Sequence, residues 1–363
     1  MWQALMIIGG TLSVLMLFYL ASRFHKFSFI RRIGDKSRLL SWVIAFIPMA
    51  ILCLFALINI PTLFIVLIHF GLAFALCDLV FLIIRKTTGR RYDYNIQGSI
   101  AVAITVIYLL IGWIMAHHVF VTRYSFQTNK DLGGNLRIVE IADSHLGITL
   151  SGEDFADQMQ RVQNENPDLV VIVGDFVDDD CILEDMVVAC KALGNLKTTY
   201  GVYYVFGNHD RGYFNSRAFS IARLRKELED NNVTILEDQS VLIDGRFYIV
   251  GRRDRSTRDR SDIFRLTENL DKSKYTIVLN HQPNDYDNEA KANVDLVLSG
   301  HTHGGHIFPG GIIGLLSGSN DKEYGAEQRG STTFVVTSGI SGWAIPFKTG
   351  AKSEFVVIDI SSI

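Results

Sequence analysis

Five short groups of aspartate, histidine and asparagine residues recur after residue 135, and each follows an apolar run. The groups are Asp143-Ser144-His145, Gly174-Asp175-Phe176-Val177-Asp178, Gly207-Asn208-His209-Asp210, Asn280-His281-Gln282-Pro283 and Gly300-His301-Thr302-His303-Gly304-Gly305. Carboxylate, imidazole and carboxamide groups suit manganese, iron or zinc, and the absence of thiolate argues against a structural zinc site. So many donors exceed the needs of one ion. They predict a pair of divalent transition-metal ions, which would activate water and clamp a phosphoryl group.

Each group taken alone also has an ordinary interpretation as a loop. Asp-x-His and Gly-Asp sequences are common in turns. Asn beside His, and His-x-His between glycines, are less expected there. Alternate side chains on extended backbone face the same way, and glycine allows the backbone to approach a crowded centre. Five such groups in order on successive strand ends favour one metal centre over five solvated loops.

The elements that must position these groups alternate between strand and helix from Leu136 onward. The predicted strands are Leu136–Ala142, Leu169–Val173, Val202–Phe206, a hairpin over Val241–Val250 that turns at Asp244-Gly245, Thr276–Asn280, Val294–Leu298, Phe334–Thr337 and Phe355–Ile360. The predicted helices are Glu153–Gln163 with Ser151 as N-cap, Leu183–Leu193 and Ser216–Glu229. This alternation predicts a layered α/β domain. Its polar groups would lie at the carboxyl ends of strands, where open α/β sheets bind ligands.

The five groups match, in order, the signature blocks of calcineurin-like metallophosphoesterases, and the chain from Leu136 to its C-terminus resembles that family. The ending Gly-His-Thr-His-Gly-Gly is most similar to a bacterial membrane-associated branch. That branch includes secreted phosphodiesterases and some lipid-A-precursor pyrophosphatases. The resemblance implies a four-layer α-β-β-α sandwich, a dinuclear metal centre at the strand ends and the activity of a metal-dependent phosphoric ester hydrolase.

The resemblance also implies a role for each residue. One metal would bind Asp143, His145, Asp175 and His303, and the second would bind Asp175, Asn208, His281 and His301, with Asp175 as the bridge. The catalytic pair would be His209, which protonates the leaving oxygen as general acid, and Asp210, which orients His209. Asp178 would support the site from outside the ligand set. Relatives often carry Gln where this chain has His306, which leaves the polar contact at that position open.

Four apolar stretches precede the predicted catalytic domain. They are Ala4–Ser22, Trp42–Ile60, Thr62–Ile84 and Ile100–Ala116. Each is near the roughly 20 residues that cross a bilayer as helix. A buried core helix, or a signal peptide for the first run, is the alternative. No basic residue precedes the first run, and four successive runs exceed the needs of a soluble core. We therefore expect a multi-pass transmembrane region over residues 1–120, a linker over 121–135 and a catalytic domain over 136–363.

Basic residues set the expected orientation in the membrane. The first connection carries Arg23, Lys26, Arg31, Arg32, Lys36 and Arg38, and the third carries Arg85, Lys86, Arg90 and Arg91. Basic loops stay cytoplasmic, so the catalytic domain is expected on the extracytoplasmic side of the cell membrane. His69 and Asp78 lie within the third apolar run, where an ionisable group suggests a function. Asp78 could instead be hydrated near the interface, beside Arg85 and Lys86.

The substrate is the least determined feature. A net charge of -3 gives no reason to expect nucleic acid. The membrane region favours a phospholipid, a lipid pyrophosphate or a cell-envelope component, and a water-soluble phosphodiester also fits. Five arginines between Arg252 and Arg260 could grip a phosphate or a lipid headgroup, although a solvated loop of mixed charge is the favoured interpretation. The rival functions are a receptor or scaffold without catalysis and a transporter. The complete ligand set argues against the first, and the few charged positions in the spans argue against the second.

Overall fold

The structure, a computed structural model, describes residues 2–90, 95–212 and 217–363, with side chains from Gly9 onward. It divides into two compact units, residues 1–112 and 113–363. Arg91, one of the basic residues used to predict orientation, and Ser216, the predicted start of a helix, lie outside the described residues.

The N-terminal unit is helical. Its helices are α1 (Trp2–Phe24), α2 (Ser28–Gly34), α3 (Arg38–Cys53), a 3-10 turn (Leu54–Leu57), α4 (Ile60–Thr88) and α5 (Ile96–His117). Among the described residues, three helical segments are long and apolar enough to cross a membrane: Arg38–Leu57, Ile60–Thr88 and Ile96–His117. The described apolar part of α1, Gly9–Phe24, is shorter. Three of the four predicted spans therefore have the required length and composition, and the first remains a prediction.

Asp78 has an ion-pair partner inside the N-terminal unit. The Nε atom of Arg23 lies 3.0 Å from Oδ2 of Asp78. The basic partner of Asp78 thus comes from the end of α1. The charge of Asp78 is balanced by Arg23, without the expected neighbours Arg85 and Lys86. His69 Nδ1 lies 2.7 Å from the carbonyl oxygen of Ile65, one turn earlier in α4, which satisfies one nitrogen of a ring in an apolar helix.

The C-terminal unit is built on two six-stranded sheets. Its strands are β1 (Val119–Thr128), β2 (Leu136–Ile141), β3 (Leu169–Val173), β4 (Val202–Val205), β5 (Val233–Ile235), β6 (Gln239–Ile243), β7 (Phe247–Gly251), β8 (Tyr275–Leu279), β9 (Leu296–Ser299), β10 (Gly325–Arg329), β11 (Thr332–Val336) and β12 (Ser353–Ser362). Its helices are α6 (Gly152–Asn164), α7 (Leu183–Gly194), α8 (Ile221–Asp230), α9 (Ile263–Thr267), α10 (Tyr286–Lys291) and α11 (Gly310–Leu316). The strand orders are β1-β12-β2-β3-β4-β5 and β10-β11-β9-β8-β7-β6. The mixed α/β class predicted from the sequence is confirmed.

Alternating side chains in the strands create three apolar clusters. Ile138 and Val171 point toward the second sheet and pack with Ile277 and Leu298. Val139, on the other face of β2, packs with residues of α6, α7 and α8. The outer face of the second sheet packs against α9 and α10. This packing fixes the strand ends that carry the polar groups, because a slip of one residue would exchange the two faces of a strand.

Several predicted elements are confirmed within one or two residues, and others differ. Ser151 caps α6 with a capping box completed by Asp154, as its sequence predicts. The hairpin around Asp244-Gly245 is present as β6 and β7. Strand β1 occupies much of the segment predicted as a linker, because its partner is the distant β12, which it pairs in parallel. Helix α8 begins at Ile221 after the N-cap Ser220, later than predicted.

Candidate metal centre

The predicted ligands leave the carboxyl ends of β2, β3, β4, β8 and β9. Their backbone is unusual. Five of the seven have positive φ: Asp143 (55°), His145 (36°), Asp175 (52°), His301 (71°) and His303 (50°). A non-glycine residue in this region costs of order 1–3 kcal/mol and persists where the surroundings hold it, typically at functional sites. The backbone therefore turns sharply just after β2, β3 and β9.

Glycines beside the ligands allow the strand ends to approach one another. A Cβ atom on Gly207 would lie 2.1 Å from Oδ1 of Asp175, and one on Gly300 would lie 2.6 Å from Oδ2 of Asp143. Both distances are shorter than side chains tolerate. The Gly-Asn-His-Asp and Gly-His-x-His sequences thus begin with glycine because a neighbouring carboxylate fills the space that a side chain would need.

The first group of donors contains Asp143, His145 and His303. The Nε2 atoms of His145 and His303 lie 3.1 Å apart, and His303 Nε2 is 4.0 Å from Oδ1 of Asp143. Metal–nitrogen bonds of about 2.0–2.1 Å at angles of about 90–110° place two nitrogens about 3.0–3.4 Å apart. The spacing of the two imidazoles therefore fits two ligands of one ion.

The second group contains Asp175, His281 and His301. His281 Nε2 lies 3.1 Å from Oδ2 of Asp175 and 3.2 Å from Oδ1 of Asn208. The same oxygen of Asp175 lies 3.7 Å from His145 Nε2 in the first group. One carboxylate oxygen thus reaches donors of both groups, and all seven predicted ligands come together at one end of the two sheets.

The electrostatics of these residues fit a cation. Burial raises the pKa of Asp143 to about 6, although His281 opposes this shift. Burial alone would lower the pKa of His281, but Asp175 and Asp143 raise it to about 10. Burial and the charge of His281 lower the pKa of His301 to about 4, so His301 is neutral at neutral pH, as an imidazole ligand must be. A cation among these carboxylates would stabilise their charged forms and would replace the proton that they hold on His281, since metal binding to an imidazole releases its proton.

Two of the histidines also carry buried nitrogens that need a partner. Nδ1 of His301 and Nδ1 of His303 have no hydrogen-bond partner within the described ranges. Unpaired buried polar atoms are exceptional in folded proteins and are typical of sites that an ion or water completes. For His303 the unpaired atom is not the metal-facing one, because its Nε2 lies toward His145 and Asp143. The donor spacing is therefore the observation that indicates a fit to a metal pair.

His209 is held by a different carboxylate from the one predicted. Its Nδ1 lies 3.0 Å from Oδ1 of Asp178, and the other oxygen of Asp178 lies 3.0 Å from Nδ1 of His145. Asp210, expected to orient His209, accepts backbone N–H groups instead. Its donors are the backbone nitrogens of Gly207, Asp175, Phe176 and Val177, at 2.7, 3.0, 2.8 and 3.1 Å. The prediction for Asp210 is therefore corrected, because its carboxylate is engaged by the two loops that carry Asp175 and Asn208.

The contacts of Asp210 predict that Asp210→Ala destabilises the protein. Each buried N–H group left without a partner costs about 1–3 kcal/mol. A total loss of about 3 kcal/mol would lower the Tm by about 6–12 °C in a domain of this size. Thermal unfolding of the full chain in detergent measures the shift, with the exposed Asp259→Ala as control. An unchanged Tm together with a large loss of turnover would instead restore the predicted role of Asp210 in orienting His209.

Sequence reasoning missed three residues that support the site. Gln282 donates to Oδ2 of the buried Asp254 at 2.9 Å and lies 3.5 Å from Oδ1 of Asn208. Its position directly after His281 was the available signal. The indole ring of Trp343 meets the ring of His209 edge-on, with centroids 5.4 Å apart. No sequence pattern pointed to Trp343, because it lies in an irregular loop that is distant in sequence from the other groups.

His306 lies beside the predicted ligands. Its ring centroid is 5.3 Å from that of His303. Burial and the nearby charge of Lys348 lower its pKa to about 3, so this imidazole is neutral at neutral pH. The position that departs from the family pattern therefore still places a polar ring next to the centre.

The arginine-rich loop divides between the two interpretations given for it. Arg252 is buried and pairs with Asp285 at 2.8 Å and Glu289 at 2.7 Å, and Arg260 donates to Oδ1 of Asn280 at 2.8 Å. Arg255 and Arg258 are exposed. The buried members hold the loop to the sheet, and only the exposed members have the character of a solvated loop.

The comparisons with known proteins agree with this geometry. The family model described as Calcineurin-like phosphoesterase matches residues 136–305. An uncharacterized metallophosphoesterase of Bacillus subtilis is 34% identical over 60% of this chain and 81% of its own length. The chain belongs to the calcineurin-like phosphoesterase family. The matched residues include all seven predicted ligands together with Asp178, His209 and Asp210.

Two further relatives share only part of their length with this chain. An uncharacterized metallophosphoesterase of Campylobacter jejuni is 34% identical over 63% of this chain, which spans 60% of the length of that relative. A Bos taurus protein described as a transmembrane protein with metallophosphoesterase domain is 32% identical over 61% of this chain and 52% of its own length. The description of the Bos taurus relative thus combines a transmembrane protein with a metallophosphoesterase domain.

Proposed function

We propose that the C-terminal unit is a phosphohydrolase, a phosphodiesterase or phosphatase, with two divalent transition-metal ions. The observation that carries this proposal is the position of Asp175 Oδ2, 3.1 Å from His281 Nε2 and 3.7 Å from His145 Nε2. A carboxylate between two donor groups is the arrangement a bridged metal pair requires. Family membership and the complete set of donors support hydrolysis over a receptor that has lost catalysis.

The proposed assignments follow the two donor groups. One ion would bind Asp143, His145, Asp175 and His303, and the other would bind Asp175, Asn208, His281 and His301. When bound, such ions supply positive charge that activates water and stabilises the developing charge on the phosphoryl oxygens. Oδ1 of Asn208 lies near His281 in the second group. The side chain of Gln282, which donates to Asp254, lies beside Asn208 and supports the position of the Asn208 amide.

His209 performs the proton transfer in this proposal. The carboxylate of Asp178 accepts a hydrogen bond from Nδ1, so Nε2 is the nitrogen that donates to the leaving oxygen. An alkoxide is a poor leaving group without a proton, and a positioned acid lowers that barrier. The edge of Trp343 packs against the His209 ring and limits its rotation and its contact with bulk water. Because Asp178 also contacts the predicted ligand His145, this one carboxylate fixes the position of His209 relative to the metal ligands.

Metal content and hydrolysis together test the proposal. Elemental analysis of the purified full chain is expected to give two transition-metal ions per chain, and the protein is expected to hydrolyse bis(p-nitrophenyl) phosphate. A stoichiometry near one would contradict the dinuclear centre. Two ions without hydrolysis of aryl phosphodiesters or monoesters would favour the receptor or scaffold.

We also propose the finer architecture that the family resemblance implies. The three apolar clusters support four α-β-β-α layers in the C-terminal unit. The 23-residue length of α1 supports a fourth span beside the three apolar helices. The protein would then cross the membrane several times. Because basic connections stay cytoplasmic and basic residues precede α5, the C-terminal unit that follows α5 would lie on the extracytoplasmic side.

The orientation gives a prediction that does not depend on whether α1 crosses the membrane. The end of α4 carries Arg85 and Lys86, and Arg90 follows in the connection to α5. These basic residues place the end of α5 outside. An alkaline phosphatase reporter fused after Ile363 is therefore expected to be active, whereas a fusion after Lys36, in the first basic connection, is expected to be inactive. A fluorescent protein that matures only in the cytoplasm and lights up after Ile363 would reverse the orientation.

A further inference from the structure

Helix α11 exposes every large apolar side chain it contains. The exposed fractions are 51% for Ile312, 61% for Ile313, 49% for Leu315 and 84% for Leu316, and Phe308 just before the helix is 58% exposed. An ordinary surface helix turns such residues toward the core. Clustered exposed apolar side chains on a folded domain mark an interaction surface. Phe308 and α11 together are called the apolar rim below.

Glycines explain why the helix faces outward. A Cβ atom on Gly311 would lie 3.1 Å from the Cα atom of Gly305, and one on Gly314 would lie 2.1 Å from Oε1 of Glu323. The inner face of α11 therefore lies close to the backbone of Gly305 at Gly311 and to the carboxylate of Glu323 at Gly314. The four aliphatic residues are left on the outer face by the packing itself.

The apolar rim is fixed directly to the metal centre. Gly305, against which α11 packs, lies two residues after the predicted ligand His303. The carbonyl oxygen of His306 accepts the backbone N–H groups of Thr349 and Gly350, both at 2.9 Å, which ties this loop to the segment following Trp343. A surface that binds the rim would thus lie beside the loop that carries the predicted ligand His303.

A lipid surface is the occupant that the chain favours. Three described helices are long and apolar enough to cross a membrane, and β1 begins at Val119, two positions after α5 ends at His117. Only His118 separates the end of the apolar helix α5 from the first strand of the C-terminal unit. At the end of α11, the exposed Arg255 donates to the carbonyl oxygen of Ser319 at 3.3 Å. A basic side chain beside an apolar helix is the pattern of elements that lie in an anionic interface.

We propose that the apolar rim inserts among the lipid acyl chains, and that the metal centre beside it acts on a phosphoester carried by a membrane lipid. The second clause rests on the phosphohydrolase function proposed above. The first clause does not, since insertion requires no catalysis. The substrate headgroup would enter from the interface while its chains stay in the leaflet that holds the rim.

The depth of α11 tests insertion. The full chain is reconstituted into vesicles of phosphatidylcholine and phosphatidylglycerol, after replacement of Cys53 and Cys77 by alanine and labelling of Leu316→Cys with an environment-sensitive fluorophore. Nitroxide lipids are expected to quench this label at least about twofold more than a label at Leu242→Cys. Leu242 is an exposed control on β6, the edge strand on the other side of the sheet from β10. Equal quenching at both positions would overturn insertion, and so would a label shielded from water and lipid alike by a second protein chain.

A kinetic comparison tests the substrate class. The double variant Ile313→Ser, Leu316→Ser changes only exposed side chains. In vesicles it is expected to hydrolyse a phosphoester borne by a vesicle lipid about tenfold more slowly than the unmodified chain, and bis(p-nitrophenyl) phosphate within about twofold of it. Equal slowing on both substrates, or none on either, would overturn the lipid clause. Failure of the unmodified chain on every phosphoester would refute the phosphohydrolase proposal and leave the quenching result standing.

Discussion

Asp175→Ala is expected to lose most of its bound metal and to slow phosphodiester hydrolysis by about 10³-fold or more. The variant removes the carboxylate whose Oδ2 reaches both groups, at 3.1 Å from Nε2 of His281 and 3.7 Å from Nε2 of His145. A metal pair contributes several kcal/mol of transition-state stabilisation, and each 1.36 kcal/mol is tenfold in rate. Elemental analysis and turnover with bis(p-nitrophenyl) phosphate measure the two effects on the same preparation.

Two further variants separate metal loss from unfolding. Oδ1 of Asp175 accepts the backbone N–H of His209 at 2.8 Å, so the alanine variant also removes a structural contact. Asp175→Asn retains that acceptor while it removes the negative charge, and it is expected to lose metal with a smaller change in Tm. Asp180→Ala, an exposed residue of the same loop, should keep both metals. Retention of two ions by Asp175→Ala would refute the bridging assignment.

The ligand positions were predictable because they depend on local features. An apolar run such as Leu169–Val173 announces a buried strand, and the polar residues after it must emerge at the sheet edge where parallel neighbours end. Repetition of this pattern brings Asp143, Asp175 and Asn208 together without knowledge of any long-range contact. The left-handed backbone of Asp143 and Asp175 was not visible in the sequence, because neither residue type requires it.

The partner of His209 could not be predicted from spacing. Asp210 is adjacent in sequence, and Asp178 is 31 positions away, but direction decides which carboxylate reaches the ring. Asp210 turns inward to four backbone N–H groups, so its proximity in sequence is misleading. Strand β1 was missed for a related reason, since its partner β12 lies at the other end of the chain. Helix α11 was missed because its glycines are poor helix formers and its stability depends on packing against the metal-binding loop.

His209→Ala is expected to keep both metal ions and to lower turnover by about 10²–10⁴-fold, the usual contribution of a positioned general acid. His209 is predicted to lie outside the ligand set, and its Nδ1 is engaged by Asp178 at 3.0 Å. The loss should be largest for alkyl leaving groups, which need a proton, and smallest for nitrophenolate, which leaves almost unaided. A series of phosphodiesters with leaving groups of different basicity measures this dependence.

A matched variant makes the assignment of His209 specific. His281→Ala removes a predicted ligand at 3.1 Å from Asp175, so it should lose metal and slow every substrate by a similar factor. The two variants are thus expected to differ in metal content and in how steeply the rate depends on the basicity of the leaving group. If His209→Ala loses metal, His209 is a ligand. If it keeps both ions but slows all leaving groups equally, the ring binds the phosphate without donating a proton, and the acid must be sought among the other groups that face the centre.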